Sequence, residues 1–293
     1  MEKNEGFKVS PAMLIDAGHA LILGDLFLRC LYKVRPYELV KGSAEALHRQ
    51  WAEACVAYLR GEKGAMGFAA LCRGIVRDFD ELPIDESLKK PRVGIVGEIL
   101  VKYMPLANNH LVELLENEGA EAVVPDLMDF MNYCFYNGTY KYKYLGAKKW
   151  IDAVSRLGVS AVLKIRKPAL EALKASKRFS PPQPIGELAE QAAPILSVGN
   201  QSGEGWFLTG EMTELLKSGV KNIICIQPFG CLANHVAGKG VIKQLKKLYP
   251  GANIVAVDYD PGASSVNQLN RVKLMLSAAR RSLEQDAALP AST

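Results

Sequence analysis

The segment Gln227-Pro-Phe-Gly-Cys231-Leu-Ala-Asn-His235 puts a thiol where a fold can use it. An apolar run ends at Gln227 and Pro228, Gly230 permits a tight turn, and Cys231 then stands at or just before the start of a helix. Helix N-termini present free N–H groups and the positive end of the peptide dipole, which favour thiolate over thiol. A thiolate there serves as a nucleophile, a redox thiol or a metal ligand. The plain alternative is a turn cysteine with no role. His235 follows Cys231 by four residues, a spacing that one helical turn brings together, and a solvated helix histidine satisfies it equally.

Other chemistry-bearing residues are more ambiguous. Cys225 lies inside an apolar run, and Cys30, Cys55 and Cys72 lie on apolar helix faces, where free cysteine acts as a small buried hydrophobe. Cys134 sits among aromatic and polar neighbours in Asn132-Tyr-Cys-Phe-Tyr-Asn137. Asp260, in Asp258-Tyr-Asp-Pro-Gly262, could bind a ligand hydroxyl or amine, or simply shape an Asx turn. Gly199-Asn-Gln-Ser-Gly-Glu-Gly205 precedes a helix and could offer N–H groups to a phosphate, yet it matches neither the Walker pattern nor G-x-G-x-x-G. Glu204 and Glu211 are acid/base candidates at that helix start. Tyr140-Lys-Tyr-Lys-Tyr144, with Lys148 and Lys149, interleaves charge and aromatics, as a base-stacking or phosphate-holding patch does and as a solvated helix face also does. His19, His48 and His110 are isolated and read as structural.

The elements that position these groups follow from periodicity. Residues 1–90 read as helical, with Ser43 capping a helix that carries Leu47, Trp51, Cys55 and Tyr58, and a second stripe at Phe68, Cys72, Ile75 and Phe79. From Pro91 the pattern changes to short Val/Ile runs: Arg92–Gly97, Ala122–Pro125, Asn222–Gln227 and Asn253–Asp258. Amphipathic helices alternate with them. One is capped by Asn108 and stopped by Gly119, one runs from Phe207 to Lys217, one from about Val236 to Leu248, and the last opens with a Ser265–Gln268 capping box. This alternation predicts an α/β fold, a flavodoxin/Rossmann-like parallel sheet covered by helices. The expected organisation is a helical region over 1–90, an α/β lobe over 91–286 with a helical insertion at about 128–195, and a frayed tail over 287–293. In the insertion, Trp150, Ile151, Val154 and Leu157 mark one helix face. In such sheets ligands bind beyond the carboxyl ends of the strands, which selects the loops 98–107, 229–235 and 259–264.

Composition bounds the rest. The 293 residues are 49% hydrophobic and carry 36 basic against 31 acidic groups, so the chain buries a large core and has a mild net charge of +5. We expect no nucleic-acid partner at that charge, and no membrane partner, since no uninterrupted apolar run approaches the ~18 residues of a spanning helix. Six cysteines without C-x-x-C spacing do not make a disulfide scaffold, and no basic leader precedes the apolar stretch Ala20–Leu28; a cytoplasmic chain with reduced thiols is expected.

Four segments together resemble a known set: Pro91-Arg-Val-Gly-Ile-Val-Gly-Glu98, Leu111-Val-Glu-Leu-Leu-Glu-Asn-Glu-Gly-Ala120, Gln227-Pro-Phe-Gly-Cys231, and the run from Asp258 to Arg271. In order and spacing they are similar to the C-terminal part of the 2-hydroxyacyl-CoA dehydratase and benzoyl-CoA reductase family, in its acyl-CoA dehydratase activase-related branch, over roughly residues 91–280. The resemblance implies flavodoxin-like lobes with helical insertions, and a [4Fe–4S] cluster held by cysteines from separate lobes. It further implies an ATP-dependent activase that drives a low-potential electron into the cluster and onto an acyl-CoA thioester. Cys231, with Gly230 beside it, matches the family's cluster cysteine after the penultimate strand. The family's other cluster cysteines belong to an N-terminal lobe that this sequence does not match, so either another chain supplies them as a second dehydratase-type lobe, or this is a separated piece of a longer protein, or cluster chemistry has been lost. The sequence thus suggests an iron–sulfur component that contributes Cys231 to an assembly. Two alternatives stand beside it: a clusterless scaffold that docks an activating ATPase or a CoA compound, and a thiol enzyme that pairs Cys231 with His235.

Overall fold

The computed structural model describes residues 9–260, 262 and 264–288. Four strands, β1 (Arg92–Gly97), β2 (Glu121–Val123), β3 (Asn222–Gln227) and β4 (Asn253–Asp258), form one parallel sheet in the order β2-β1-β3-β4. This is the flavodoxin-like order of a doubly wound α/β sheet. Both faces are apolar because successive side chains alternate. Val93, Ile95, Ile224, Ile226 and Val257 face α5 (Leu111–Asn117) and α11 (Ser265–Ala288). Val96, Ile223, Cys225 and Ile254 face α9 (Trp206–Lys217) and α10 (Ile242–Leu248). The continuous Val/Ile runs read from the sequence are therefore strands buried on two sides. Of the tail expected over 287–293, residues 289–293 lie outside the described residues, and 287 and 288 continue α11.

The helical layer does not divide at Pro91. Helices α1 (Pro11–Val34), α2 (Ser43–Leu59) and α3 (Phe68–Glu81) share one apolar core with Met128 of α6 (Leu127–Tyr144), with Val162, Ala169 and Leu173 of α7 (Lys149–Ala175), and with Phe179. The expected 1–90 region and the insertion thus complete each other. Among the described residues one helix, α1 with the turn after it, is long and apolar enough to cross a membrane, with a mean hydropathy of 1.4. The expectation concerned an uninterrupted apolar run, and Asp16 and Asp25 do interrupt this one; the helix passes on length and average hydropathy alone. Here the inner half of α1 packs Ile22, Leu23, Leu26, Cys30, Leu31 and Val34 into the shared core.

A buried charge cluster fastens α1, α6 and α7 to one another. Asp25 of α1 accepts hydrogen bonds from the backbone N–H groups of Leu127 (2.8 Å) and Met128 (2.9 Å), capping α6 from another helix. Arg166 of α7 reaches Asp129 at 2.5 Å and also Asp126, which is held in turn by Arg29 at 2.7 Å. Burial, then the neighbouring Asp126, push the Asp25 carboxyl up to about 8. Glu214 of α9 is similarly pushed up to about 7 by burial and then by Asp129.

Three local expectations are corrected. Ser43 is not the cap of α2: the Glu38 carboxylate accepts from the N–H groups of Gly42 (2.6 Å) and Ala44 (2.9 Å). The side chain of Gln268 does not turn back towards Ser265, because it bonds the Asp258 carbonyl and Asn109. On α7 the buried face is Ser155, Val162, Ala169 and Leu173, while Trp150, Val154 and Leu157 are exposed. Asn108 does cap its helix, accepting from Leu111 N–H at 3.1 Å.

Two consequences are measurable. At Gly97 φ is +147°, and a Cβ would lie 1.9 Å from the Ile226 carbonyl oxygen. Gly97→Ala is expected to lose on the order of 3 kcal/mol or more in urea unfolding. Gly119→Ala, with φ +76° and open space, should lose only about 1–2 kcal/mol. A carboxyl raised in the folded state makes that state the better proton acceptor. The stability due to Glu214 is therefore full below about 4.5 and is lost as pH rises through about 7. Glu214→Gln fixes the neutral form and should flatten that part of the decline in urea midpoint, leaving the parts due to other raised carboxyls. An unchanged decline would refute the assignment.

Candidate functional site

The carboxyl ends of β1, β3 and β4 open onto one edge, and Cys231 stands on it. Gly230 takes φ +76° with open space around its Cα, as the turn requires. The Cys231 N–H donates to the Pro228 carbonyl at 3.3 Å, and its own carbonyl accepts from His235 N–H at 3.0 Å. The residue therefore caps a short helical turn that widens to a π-turn over Asn234–Gly238. Its side chain is half-buried. Cys231 is at the helix start that the sequence suggests.

His235 does not pair with the thiol. Its Nδ1 lies 2.8 Å from the Cys231 carbonyl oxygen, so the ring engages the backbone. The sulfur is instead met by Asn234, whose Nδ2 lies 3.2 Å from Sγ and 3.2 Å from Glu204 Oε2. The other oxygen of Glu204 accepts from Ile99 N–H at 3.2 Å. Glu204 is thus a buried bracket between the β1 loop and the β3 loop. Asn234 Oδ1 is buried without a hydrogen-bond partner among the described residues.

The glycine-rich stretch serves this bracket and not a phosphate. A Cβ on Gly205 would lie 2.0 Å from the Asn200 carbonyl, and Trp206 N–H closes the loop onto that same oxygen at 2.7 Å. Helix α6 pins the loop from outside: Tyr133 donates to the Gly203 carbonyl at 2.9 Å, and Trp206 Nε1 donates to Asn137 at 2.9 Å. The first residues of α9 are buried and a carboxylate already sits there, so no anion cradle is open.

The remaining candidates fall into place around it. Glu211 is buried in an ion pair with Lys102 at 2.6 Å, and burial outweighs Lys102 to push its carboxyl up to about 7. Asp258 accepts from Gln227 at 2.7 Å and fastens β4 to β3 at their ends. Asp260 is exposed at the strand end, beside positions outside the described residues. Burial pushes the Cys55 thiol up to about 11 and those of Cys72 and Cys225 up to about 12, and Cys30 higher still, as inert core thiols require. Cys134 is exposed on α6, with its thiol pushed up by local burial and then by the Glu204 carboxylate. His19 stacks on Phe68 at 3.9 Å. His110 is not helical but sits at φ +54° before α5.

The donor set is small. Among the described residues no three His, Cys, Asp or Glu side chains gather at ligand spacing. An iron–sulfur cubane takes four protein ligands, so these residues alone do not fit one. Cys231 fits a single ligand, its sulfur half-exposed at the strand ends. Comparison with protein-family models, with curated proteins and with solved structures finds no match.

The Lys102–Glu211 pair yields a direct test. Glu211→Ala strands a fully buried ammonium and is expected to cost about 3–5 kcal/mol in urea unfolding. The double change Lys102→Met with Glu211→Leu, which removes both charges, should recover most of that loss. A double variant as unstable as the single one would show that the pair does not compensate itself.

Proposed function

We propose that this chain is one lobe of a dehydratase-like redox assembly, in which Cys231 supplies a single thiolate to a [4Fe–4S] cluster completed by cysteines of a second lobe. The observation that carries this reading is the surface around the thiol. Leu106 (81% exposed), Phe229 (77%) and Leu232 (74%) stand on loop tips at the same sheet edge as the half-buried sulfur. Exposed apolar side chains on neighbouring loops of one edge suit a face that another protein covers. Thiolate is the usual ligand of such clusters. Were such a cluster held there, it would supply a low-potential electron for an acyl-CoA thioester, with an ATP-dependent activase as the electron's source. This chain's part is to hold the Cys231 sulfur, with Asn234 and Glu204 fixing the turn that presents it. An electron-transfer lobe of this kind depends on its partner for activity.

A second reading is a clusterless scaffold that docks the activase or a CoA compound on the same face; it needs no further ligands beside Cys231, and none gather there among the described residues. Tagged chain recovered anaerobically from its own cells distinguishes the two. The first reading expects a co-purified second lobe, iron, inorganic sulfide and broad visible absorption, with a several-fold loss of iron in Cys231→Ser and none in Cys225→Ser. Iron content and activity unchanged in Cys231→Ser would leave only the scaffold.

A further inference from the structure

One sequence feature is absorbed by neither the sheet edge nor the core. Residues 139–167 hold eight lysines and arginines and a single acid, Asp152, a net of +7 in a chain whose total is +5. The fold spreads this segment over the tip of the α6–α7 hairpin, where Lys141, Lys143, Lys148 and Lys149 lie, and on along α7 past Lys164. Arg166 is taken inside by Asp126 and Asp129, and Arg156 pairs with Asp152 at 2.5 Å. Lys141, Lys143, Lys148, Lys149 and Lys164 are exposed and have no acidic partner within ion-pair distance among the described residues. The hairpin end is thus a concentrated, unneutralised positive surface.

Apolar side chains lie among these lysines. Tyr144 and Leu145 are exposed at the turn, and Trp150, Val154 and Leu157 are exposed along α7. Their spacing of four and three residues puts the last three on one line, roughly 10 Å long at the helical rise. Helix α7 is amphipathic twice over, with one stripe packed into the core and this second one bare. Of the three tryptophans, Trp51 and Trp206 are buried, and Trp150 is 61% exposed.

The composition selects the occupant. Protein–protein interfaces are depleted in lysine, whereas a lipid–water boundary takes tryptophan, tyrosine and leucine at the acyl edge with lysines reaching up to the phosphates. We propose that the α6–α7 hairpin seats this chain on an anionic phospholipid surface. Trp150, Val154 and Leu157 enter the headgroup boundary, and Lys143, Lys148 and Lys149 pair with lipid phosphates. The chain lies on this surface and does not span it. The expectation of no membrane partner rested on spanning runs alone and does not bear on such a contact. The proposal is independent of Cys231.

Trp150 provides the probe. Phosphatidylcholine vesicles containing phosphatidylserine should sediment the full chain and shift its tryptophan emission to the blue, and vesicles of phosphatidylcholine alone should do neither. Trp150→Phe should abolish the shift while sedimentation persists. Replacing Lys143, Lys148 and Lys149 by glutamine should weaken binding roughly a hundred-fold, at about fivefold per charge. Val154→Ser with Leu157→Ser should weaken it with an unchanged melting temperature, since both sites are exposed. The proposal is overturned by failure to sediment with the serine-containing vesicles, or by equal binding to both lipid mixtures. It is also overturned if the blue shift occurs without lipid as the mass doubles, which would make a second copy the occupant, or if the same lysine variants lose nucleic-acid binding while no vesicle binds.

Discussion

Arg166 and the three aspartates around it hold the molecule together at one point. Asp126 begins α6, Asp129 lies in its first turn, and Asp25 reaches across from α1 to cap that turn. A buried pair of this kind adds little net stability over an apolar replacement, and loses several kcal/mol when one member is removed. Its effect is to allow a single placement of α6. That placement matters because Tyr133 and Asn137, further along the same helix, hold the loop that carries Glu204. Glu204 holds Asn234, and Asn234 touches the Cys231 sulfur. Position is relayed from the helical core to the thiol by successive hydrogen bonds between groups with few alternatives.

The thiols divide accordingly. Four are sealed among side chains that penalise a thiolate, and two, Cys134 and Cys231, border the Glu204 region with access to solvent. His235 turns its Nδ1 to the Cys231 carbonyl, so that nitrogen is not aimed at the sulfur. What remains at the sheet edge is a presented sulfur, its turn and exposed apolar tips.

The sheet was legible from residue types because buried parallel strands write themselves as unbroken Val/Ile runs. Asn222–Gln227 and Asn253–Asp258 hold to the residue. The face of α7 was not legible. Its sequence carries two apolar stripes, and periodicity cannot say which one meets the core. Distant polar partners were equally hidden. Asp25 gives no sign of Leu127 until the fold brings its carboxylate to the start of a helix 102 residues away. Glu204 was visible only as a glutamate at a helix N-terminus, and its bridging of two strand loops depends on pairings more than 100 residues apart in sequence. The position of Cys231 was readable because the turn, the strand before it and the helix after it are local.

The sheet's own connectivity governs how the chain can assemble. The central pair joins Val93 to Asn222, and the whole of α6 and α7 lies between those residues in sequence. Such long-range pairing makes folding slow, because loop closure must precede the contacts that reward it. On a ribosome the helical core can condense as soon as α7 emerges, while β1 must wait, bare along one side, for β3 and β4 to be synthesised. During that interval the nascent molecule exposes a Val/Ile strand edge, which makes chaperone protection most valuable late in translation, just before the thiol-bearing turn takes shape.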